Sequence, residues 1–224
     1  MHPLELYNIF FSIYGAQGWW PVRSEIEGRG YHPGKFGLPA TEKGKFEVCM
    51  GAILTQNTSW IQVEKALGNL FAAKINTAKK ILTANSEVIA NLIAPSGYRN
   101  QKTAYLKNIA KWFAEVTGGE LETMRSELLK VKGVGRETAD SILLYAFHLP
   151  TFVIDTYTKR TLAALKIFDE TTDYETLRKW FMDGLEPSVE LFQEYHALFV
   201  EHGKQRNISI FPQHTTRGFY ETHT

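Results

Sequence analysis

The feature that most limits the folds open to this chain is a glycine pair set between two stretches that read as helix. In Leu129-Lys130-Val131-Lys132-Gly133-Val134-Gly135-Arg136-Glu137-Thr138-Ala139-Asp140, Gly133 and Gly135 flank a single valine, and apolar residues then return at helical spacing as Ala139, Ile142, Leu143, Ala146 and Phe147. Without Cβ atoms, glycines can take positive φ and let a ligand's oxygens close on bare backbone N–H groups. The helix opening near Arg136 adds the positive end of its dipole, so the hairpin suits a phosphate. It suits a plain interhelical turn as well, because glycine is the default residue of sharp turns.

The same helical period recurs along the chain. Trp60, Val63, Leu67 and Leu70 form one stripe, and Leu106, Ile109, Ala110, Phe113 and Val116 another. Tyr174, Leu177, Phe181 and Leu185 fit a later helix, and Val189, Phe192, Tyr195 and Phe199 a last one. The one β-like run, Thr151 to Ile154, is too short and isolated to found a sheet, so the fold class is all-α. Breaks fall at Pro95-Ser96-Gly97, Gly118-Gly119 and Glu186-Pro187-Ser188, and Glu27 to Gly44 reads as a long surface loop. The tail from Ile208 is expected to be partly ordered.

With 224 residues, 44% of them hydrophobic, the chain can bury a large core in one unit or in two closely packed lobes. No run approaches the roughly 18 apolar residues of a membrane span, and the first residues lack the basic-then-apolar pattern of a signal peptide, so an intracellular, cytoplasmic location is expected. A single cysteine, Cys49, leaves no internal disulfide and no multi-thiolate metal site. The net charge is only +1, so any hold on a polyanion must be local. Arg99 and Lys102 flank the Gly97-Tyr98 turn, Lys130, Lys132 and Arg136 surround the hairpin, and Lys159 and Arg160 open the helix after Asp155. These basic residues sit at turns and helix starts, as on a surface that follows phosphates. Singly, each reads as a solvated charge.

Asp155, in Val153-Ile154-Asp155-Thr156, has two readings from its neighbours alone. It can cap the helix that follows or place a lone carboxylate beside the hairpin. Trp19, Trp20 and Trp60 likewise read as core residues or as rings that stack on a ligand.

Hairpin, following helix, apolar stretch and Asp-Thr together resemble the helix-hairpin-helix motif of base-excision DNA glycosylases, the endonuclease III superfamily, over roughly Phe46 to Lys204. That resemblance implies two helical lobes with a cleft between them. Residues 46–149 would form the helical barrel domain with the hairpin, and 1–45 with 150–224 a second lobe built from both termini. Lys132, Gly133, Val134, Gly135 and Arg136 would hold the DNA backbone, and Asp155 would be the catalytic acid. Many members end in four cysteines that hold an iron–sulfur cluster. Here Asn207 follows His202-Gly203-Lys204-Gln205-Arg206 where the first cysteine would stand, so no cluster, other cofactor or metal is expected.

Members that also cleave the strand carry a lysine two residues after the second hairpin glycine, and this chain has Glu137 there. A carboxylate forms no imine, which implies a monofunctional enzyme with water as nucleophile. The chain is most similar to the cluster-free 3-methyladenine DNA glycosylase III group, through Phe46-Glu47, Gly51 to Thr58, Pro95-Ser96-Gly97-Tyr98, Asn100-Gln101-Lys102, Lys132 to Gly135, Ala139-Asp140, His202-Gly203-Lys204 and Trp19-Trp20-Pro21. That likeness implies release of alkylated purines, 3-methyladenine foremost, from double-stranded DNA by a monomer associated with the nucleoid. Trp19, Trp20, Trp60 and Lys204 would line the base pocket, Gln56 would fill the gap left by the flipped nucleotide, and Tyr98 would wedge the opposite strand. An endonuclease III-like enzyme with lyase or mismatch activity, or a non-catalytic helix-hairpin-helix DNA-binding protein, are the alternatives.

Overall fold

The computed structural model describes residues 1–19, 21–25 and 32–205, which form eleven α-helices and one 3₁₀ turn, with no strand among the described residues. In chain order the helices are α1 (Pro3–Tyr14), α2 (Glu42–Leu54), α3 (Trp60–Ala72), α4 (Ala78–Thr83), α5 (Ser86–Leu92), α6 (Arg99–Glu115), α7 (Leu121–Lys130), α8 (Arg136–Ala146), α9 (Thr156–Ala164), α10 (Tyr174–Gly184) and α11 (Val189–Gln205), with the 3₁₀ turn at Ala94–Ser96. Every helical stripe read from the sequence falls on a helix, with Val116, Phe147 and Leu185 just past the C-terminal ends of α6, α8 and α10, and Thr151 to Ile154 is a fully covered connector.

The helices pack in two groups. α2 lies against α3, α6 and α8, with α4 and α5 on α6 and α7 on α8, while α11 packs on α1 and α9, and α1 also touches α10. α8 meets α11 and joins the two. α2 is covered on every side, from Phe46 through Gly51 and again at Ile53 and Leu54, so it carries no apolar stripe. At its N-terminus it is capped by Thr41, whose hydroxyl accepts from the Gly44 N–H.

The second group is held by aromatic packing. Phe10, Phe152, Phe181, Phe192, Tyr195 and Phe199 are all fully buried. Phe152 stacks on Phe181 at 3.7 Å, and Tyr195 on Phe199 at 5.0 Å. Each such ring contributes about 1.5–3 kcal/mol on burial, so the cluster gives this group of helices its core. Cys49 is fully buried within α2, where desolvation pushes its thiol far up. Among the described residues no group of three or more histidine, cysteine, aspartate or glutamate side chains could hold a metal ion, and no helix is long and apolar enough to cross a membrane.

A buried charge network fixes the chain that leads to Asp155. Asp140, fully buried on α8, accepts from Arg125 Nε (2.8 Å) and Nη2 (3.1 Å), from Thr151 Oγ1 (3.1 Å) and from Tyr174 Oη (2.8 Å). Arg178 Nε donates to Thr151 Oγ1 at 2.9 Å, and the Ile154 N–H reaches Tyr174 Oη at 3.4 Å. With its carboxylate oxygens all engaged, Asp140 ties α7, α8 and α10 to the residues just before Asp155.

Candidate active site

The hairpin is braced from behind. Asn108 Nδ2 donates to the Lys132 carbonyl at 2.9 Å, and Gln56 Nε2 donates to the Gly133 carbonyl (2.8 Å) and to Thr138 Oγ1 (3.1 Å). The two glycines differ in purpose. Gly133 has φ +103°, and a Cβ there would drive into the Tyr105 ring. Gly135 caps α8 at φ −95° with nothing within 4 Å of an added Cβ, so the fold does not require glycine at that position. No side chain caps α8, which leaves its first N–H groups to solvent or a ligand.

A cleft of about 830 Å³ runs past this hairpin, lined by Gln56, Tyr98, Gly133, Gly135, Arg136, Glu137, Asp155, Tyr157 and Arg160 among others. Tyr98 stands 69% exposed at its edge, held at φ +45° just before α6. Arg136 lies 3.3 Å from Glu175. Val134 turns its side chain into the core, and Lys132 is exposed but lines neither the cleft nor the cavity beside it. The expected phosphate-facing role of Lys102 is corrected. Its side chain is buried and Nζ donates to the Leu54 carbonyl (2.7 Å), Thr58 Oγ1 (2.7 Å) and the Ser96 carbonyl (2.8 Å), while desolvation lowers it to about 8. It thus ties the end of α2 and the Gln56 loop to the turn that carries Tyr98.

Behind the cleft opens a more apolar cavity of about 440 Å³, sharing Glu137, Asp155 and Tyr157 with it. Trp19, Trp60, Tyr145 and Tyr157 supply rings to its wall, His196 and Ser141 polar groups, and Lys204 an exposed side chain. Trp19 sits edge-on to Trp60 at 5.3 Å and to Tyr145 at 5.7 Å. Trp20 lies outside the described residues. Two buried carboxylates clamp the segment around Trp19. Glu194 on α11 accepts from the N–H groups of Gln17 and Gly18 (2.9 Å for the latter), and Glu47 on α2 from those of Arg23 (2.8 Å) and Ser24 (3.0 Å).

Asp155 caps α9 and also lines both the cleft and the cavity. Its Oδ1 accepts from the Thr158 N–H (2.7 Å) and Oγ1 (2.8 Å), capping α9. Oδ2 faces His196 Nε2 at 3.5 Å. Burial pushes the Asp155 carboxyl up, but His196 and Thr158 outweigh it and the group sits below the usual carboxylate range. Glu137, reached by solvent but walled by protein, is pushed up to about 7 by desolvation and by the Asp155 charge, against the opposing pull of His196 and Lys159. Two acids sharing one mouth thus differ in ionisation near neutrality.

Sequence reasoning passed over His196, Tyr145 and Glu194, and met Glu47 only as part of a family-like segment. His196 hides in an apolar helix, adjacent to the Phe192, Tyr195, Phe199 stripe, and only the tertiary fold turns it toward Asp155.

Residues 50–187 match the HhH-GPD superfamily of base excision DNA repair proteins. A Methanocaldococcus jannaschii protein provisionally named a DNA repair glycosylase is 38% identical over 210 residues, 90% of this chain and 86% of its own. Endonuclease III of Thermotoga maritima is 33% identical over 135 residues, 60% of this chain and 63% of its own. Among solved structures, the Helicobacter pylori 3-methyladenine DNA glycosylase bound to 1,N6-ethenoadenine superposes with a TM-score of 0.71 at 28% identity, over 92% of this chain and 99% of that one. A trapped endonuclease III–DNA intermediate shares the fold, with a TM-score of 0.70 at 18% identity over 90% and 84% of the two chains. This chain therefore belongs to the HhH-GPD superfamily and is a DNA repair glycosylase.

Proposed function

We propose that this glycosylase is monofunctional: acting as a monomer on duplex DNA within the cytoplasm, it turns alkylated purines, 3-methyladenine foremost, into the aromatic cavity and hydrolyses the glycosidic bond. The observation that carries the reading is the cavity itself, walled by Trp19, Trp60, Tyr145 and Tyr157 and opening on the carboxylates of Asp155 and Glu137. Rings and negative charge together suit a cationic base. The Helicobacter pylori neighbour, a 3-methyladenine DNA glycosylase by its own description, supports the same substrate class.

An N3-alkylated adenine is positively charged and leaves as a neutral molecule, so departure needs little protonation. What the site must supply is a place for the base and a counter-charge for the sugar. Asp155, held ionised, stabilises the oxocarbenium-like sugar or orients the attacking water as the bond to the base breaks. Glu137 occupies the place of a nucleophilic amine and cannot form an imine. The helical groups on either side of the cleft act as the two lobes, with Tyr98 as the wedge. Gln56 fills the vacated space in the duplex, and entering it means exchanging its bonds to Gly133 and Thr138 for contacts with DNA.

Incubation with methylated duplex is expected to release free 3-methyladenine and leave abasic strands intact until alkali is added, with no covalent adduct trapped by borohydride. A trapped adduct would overturn the monofunctional reading, and its loss in Lys204→Gln would identify the amine, since Lys204 is the cavity's lysine. DNA holding is checked separately through the hairpin. Gly135→Val keeps the local fold, since an added Cβ meets no neighbour, yet covers the open N-terminus of α8. Affinity for damaged and undamaged duplex is expected to fall together, roughly 10- to 100-fold, as charge-assisted bonds to phosphate are lost. Unchanged filter binding would remove the hairpin from the interface.

A further inference from the structure

We infer that His196, backed by Tyr145, is a positioning residue that holds the cavity-facing oxygen of Asp155 and keeps that carboxylate ionised; the inference rests on the catalytic reading of Asp155. His196 is 8% exposed, lies on α11 and lines the aromatic cavity. Its Nδ1 is 2.9 Å from Tyr145 Oη, whereas its Nε2 is buried without a hydrogen-bond partner and stands 3.5 Å from Asp155 Oδ2.

The proton assignment follows from chemistry. Tyr145 is fully covered, and desolvation with the charges of Asp155 and Glu194 pushes its phenol well above the usual range, so it keeps its proton. That proton has two acceptors, His196 Nδ1 at 2.9 Å and the Gln193 carbonyl at 3.4 Å, and the shorter contact is the stronger. With Nδ1 accepting, a neutral imidazole carries its hydrogen on Nε2, directed at Asp155. Asp155 Oδ1 is already saturated by Thr158 on α9. Among the described residues Oδ2 has His196 on α11 facing it as a donor, while Glu137 approaches from α8 and its charge disfavours a second one there. A carboxylate in an apolar wall beside a second acid would otherwise drift toward its neutral form and lose the charge that the sugar needs. At 3.5 Å the contact is loose, and charge developing on a bound sugar gives it reason to tighten.

The test compares His196→Phe, His196→Gln, Tyr145→Phe and Asp155→Asn in single-turnover release of 3-methyladenine, in binding of an abasic-analogue duplex, and across pH. His196→Phe is expected to slow release about 10-fold or more, and to move the acid limb of the pH profile upward by about one unit, because Asp155 loses a group that lowers it. Analogue affinity stays within about twofold, as Asp155 acts on charge absent from that ligand. His196→Gln, which keeps an N–H donor, restores most of the rate, and His196→Phe adds nothing in the Asp155→Asn background. Should His196→Phe fail to fold, Tyr145→Phe removes a single hydroxyl and is expected to show the same upward movement in smaller degree. A normal rate and pH profile in His196→Phe or, where that variant does not fold, in Tyr145→Phe, with Asp155→Asn inactive, overturns the inference alone. Full activity in Asp155→Asn overturns the catalytic reading instead.

Discussion

Asp155→Asn is expected to lower single-turnover base release by about 10²- to 10³-fold while duplex affinity and thermal stability stay near wild type. The geometry separates the two jobs of this residue. Capping runs through Oδ1, which takes the Thr158 N–H and hydroxyl at 2.7 and 2.8 Å, and an asparagine carbonyl oxygen can take both. Asparagine and aspartate are comparable N-caps, so the fold loses little. The negative charge is what disappears. It is worth most when the sugar becomes cationic in a wall from which water is largely excluded, and almost nothing toward a ground-state duplex. Ionisation sets the pH range: Asp155 is held below the usual carboxylate value, so wild-type activity persists down through mildly acid pH and is lost only as pH falls through that lowered value. Asp155→Asn should be flat there. Wild-type turnover by this variant, followed by release of 3-methyladenine and by melting temperature, would leave Asp155 as a cap and nothing more.

How much of this was readable beforehand varied with the type of signal. Long helices declared themselves through the spacing of their apolar residues, and α3, α6 and α10 each bury one face, whereas α8 and α11 are covered on most sides along their central turns. α2 carried no such stripe, since all its faces are covered, and it surfaced only through its resemblance to a family segment. The hairpin was visible as a glycine pair, but sequence could not divide the work between its members. Gly133 is required by a left-handed backbone and the Tyr105 ring, Gly135 by neither. Lys102 was misjudged as a surface charge because two of its three acceptors, the Leu54 carbonyl at the end of α2 and the Thr58 hydroxyl, lie more than 40 residues away, and the third, the Ser96 carbonyl, is turned toward it by the 3₁₀ turn. Glu47 and Glu194 are alike in this, since only the fold brings backbone N–H groups to them. Local pattern marks helices and turns. The partner of a buried polar group is set by tertiary structure and leaves no periodic trace.

Trp60→Ala is expected to depress release of 3-methyladenine by about 10-fold to 10³-fold while binding of an abasic-analogue duplex stays within a few-fold. Base–aromatic stacking is worth about 1–3 kcal/mol, and the attraction of a delocalised cation to a ring face adds about 0.5–2 kcal/mol. Trp60 opens α3 at the cavity wall, its ring over Gly51 and edge-on to Trp19, so on the proposed reading truncation would remove contact with the base rather than with the backbone of the duplex. A neutral purine forfeits only the stacking contribution, and selectivity for charged over neutral bases should fall along with rate. Glu137 adds a pH dependence of its own. Its carboxyl is raised to about 7, so as pH falls below neutrality it gains a proton and the cavity loses a negative charge that attracts the cationic base. Wild-type preference for 3-methyladenine over a neutral lesion should therefore weaken between about pH 8 and pH 6, and Glu137→Gln should show the weakened preference throughout. Trp60→Phe keeps a ring and should recover much of the loss, whereas Trp60→Leu, which restores apolar bulk without a π face, should not. If the leucine variant equals the phenylalanine one, or if all three lose thermal stability in proportion to rate, Trp60 is a packing residue and cationic recognition must lie elsewhere in the cavity.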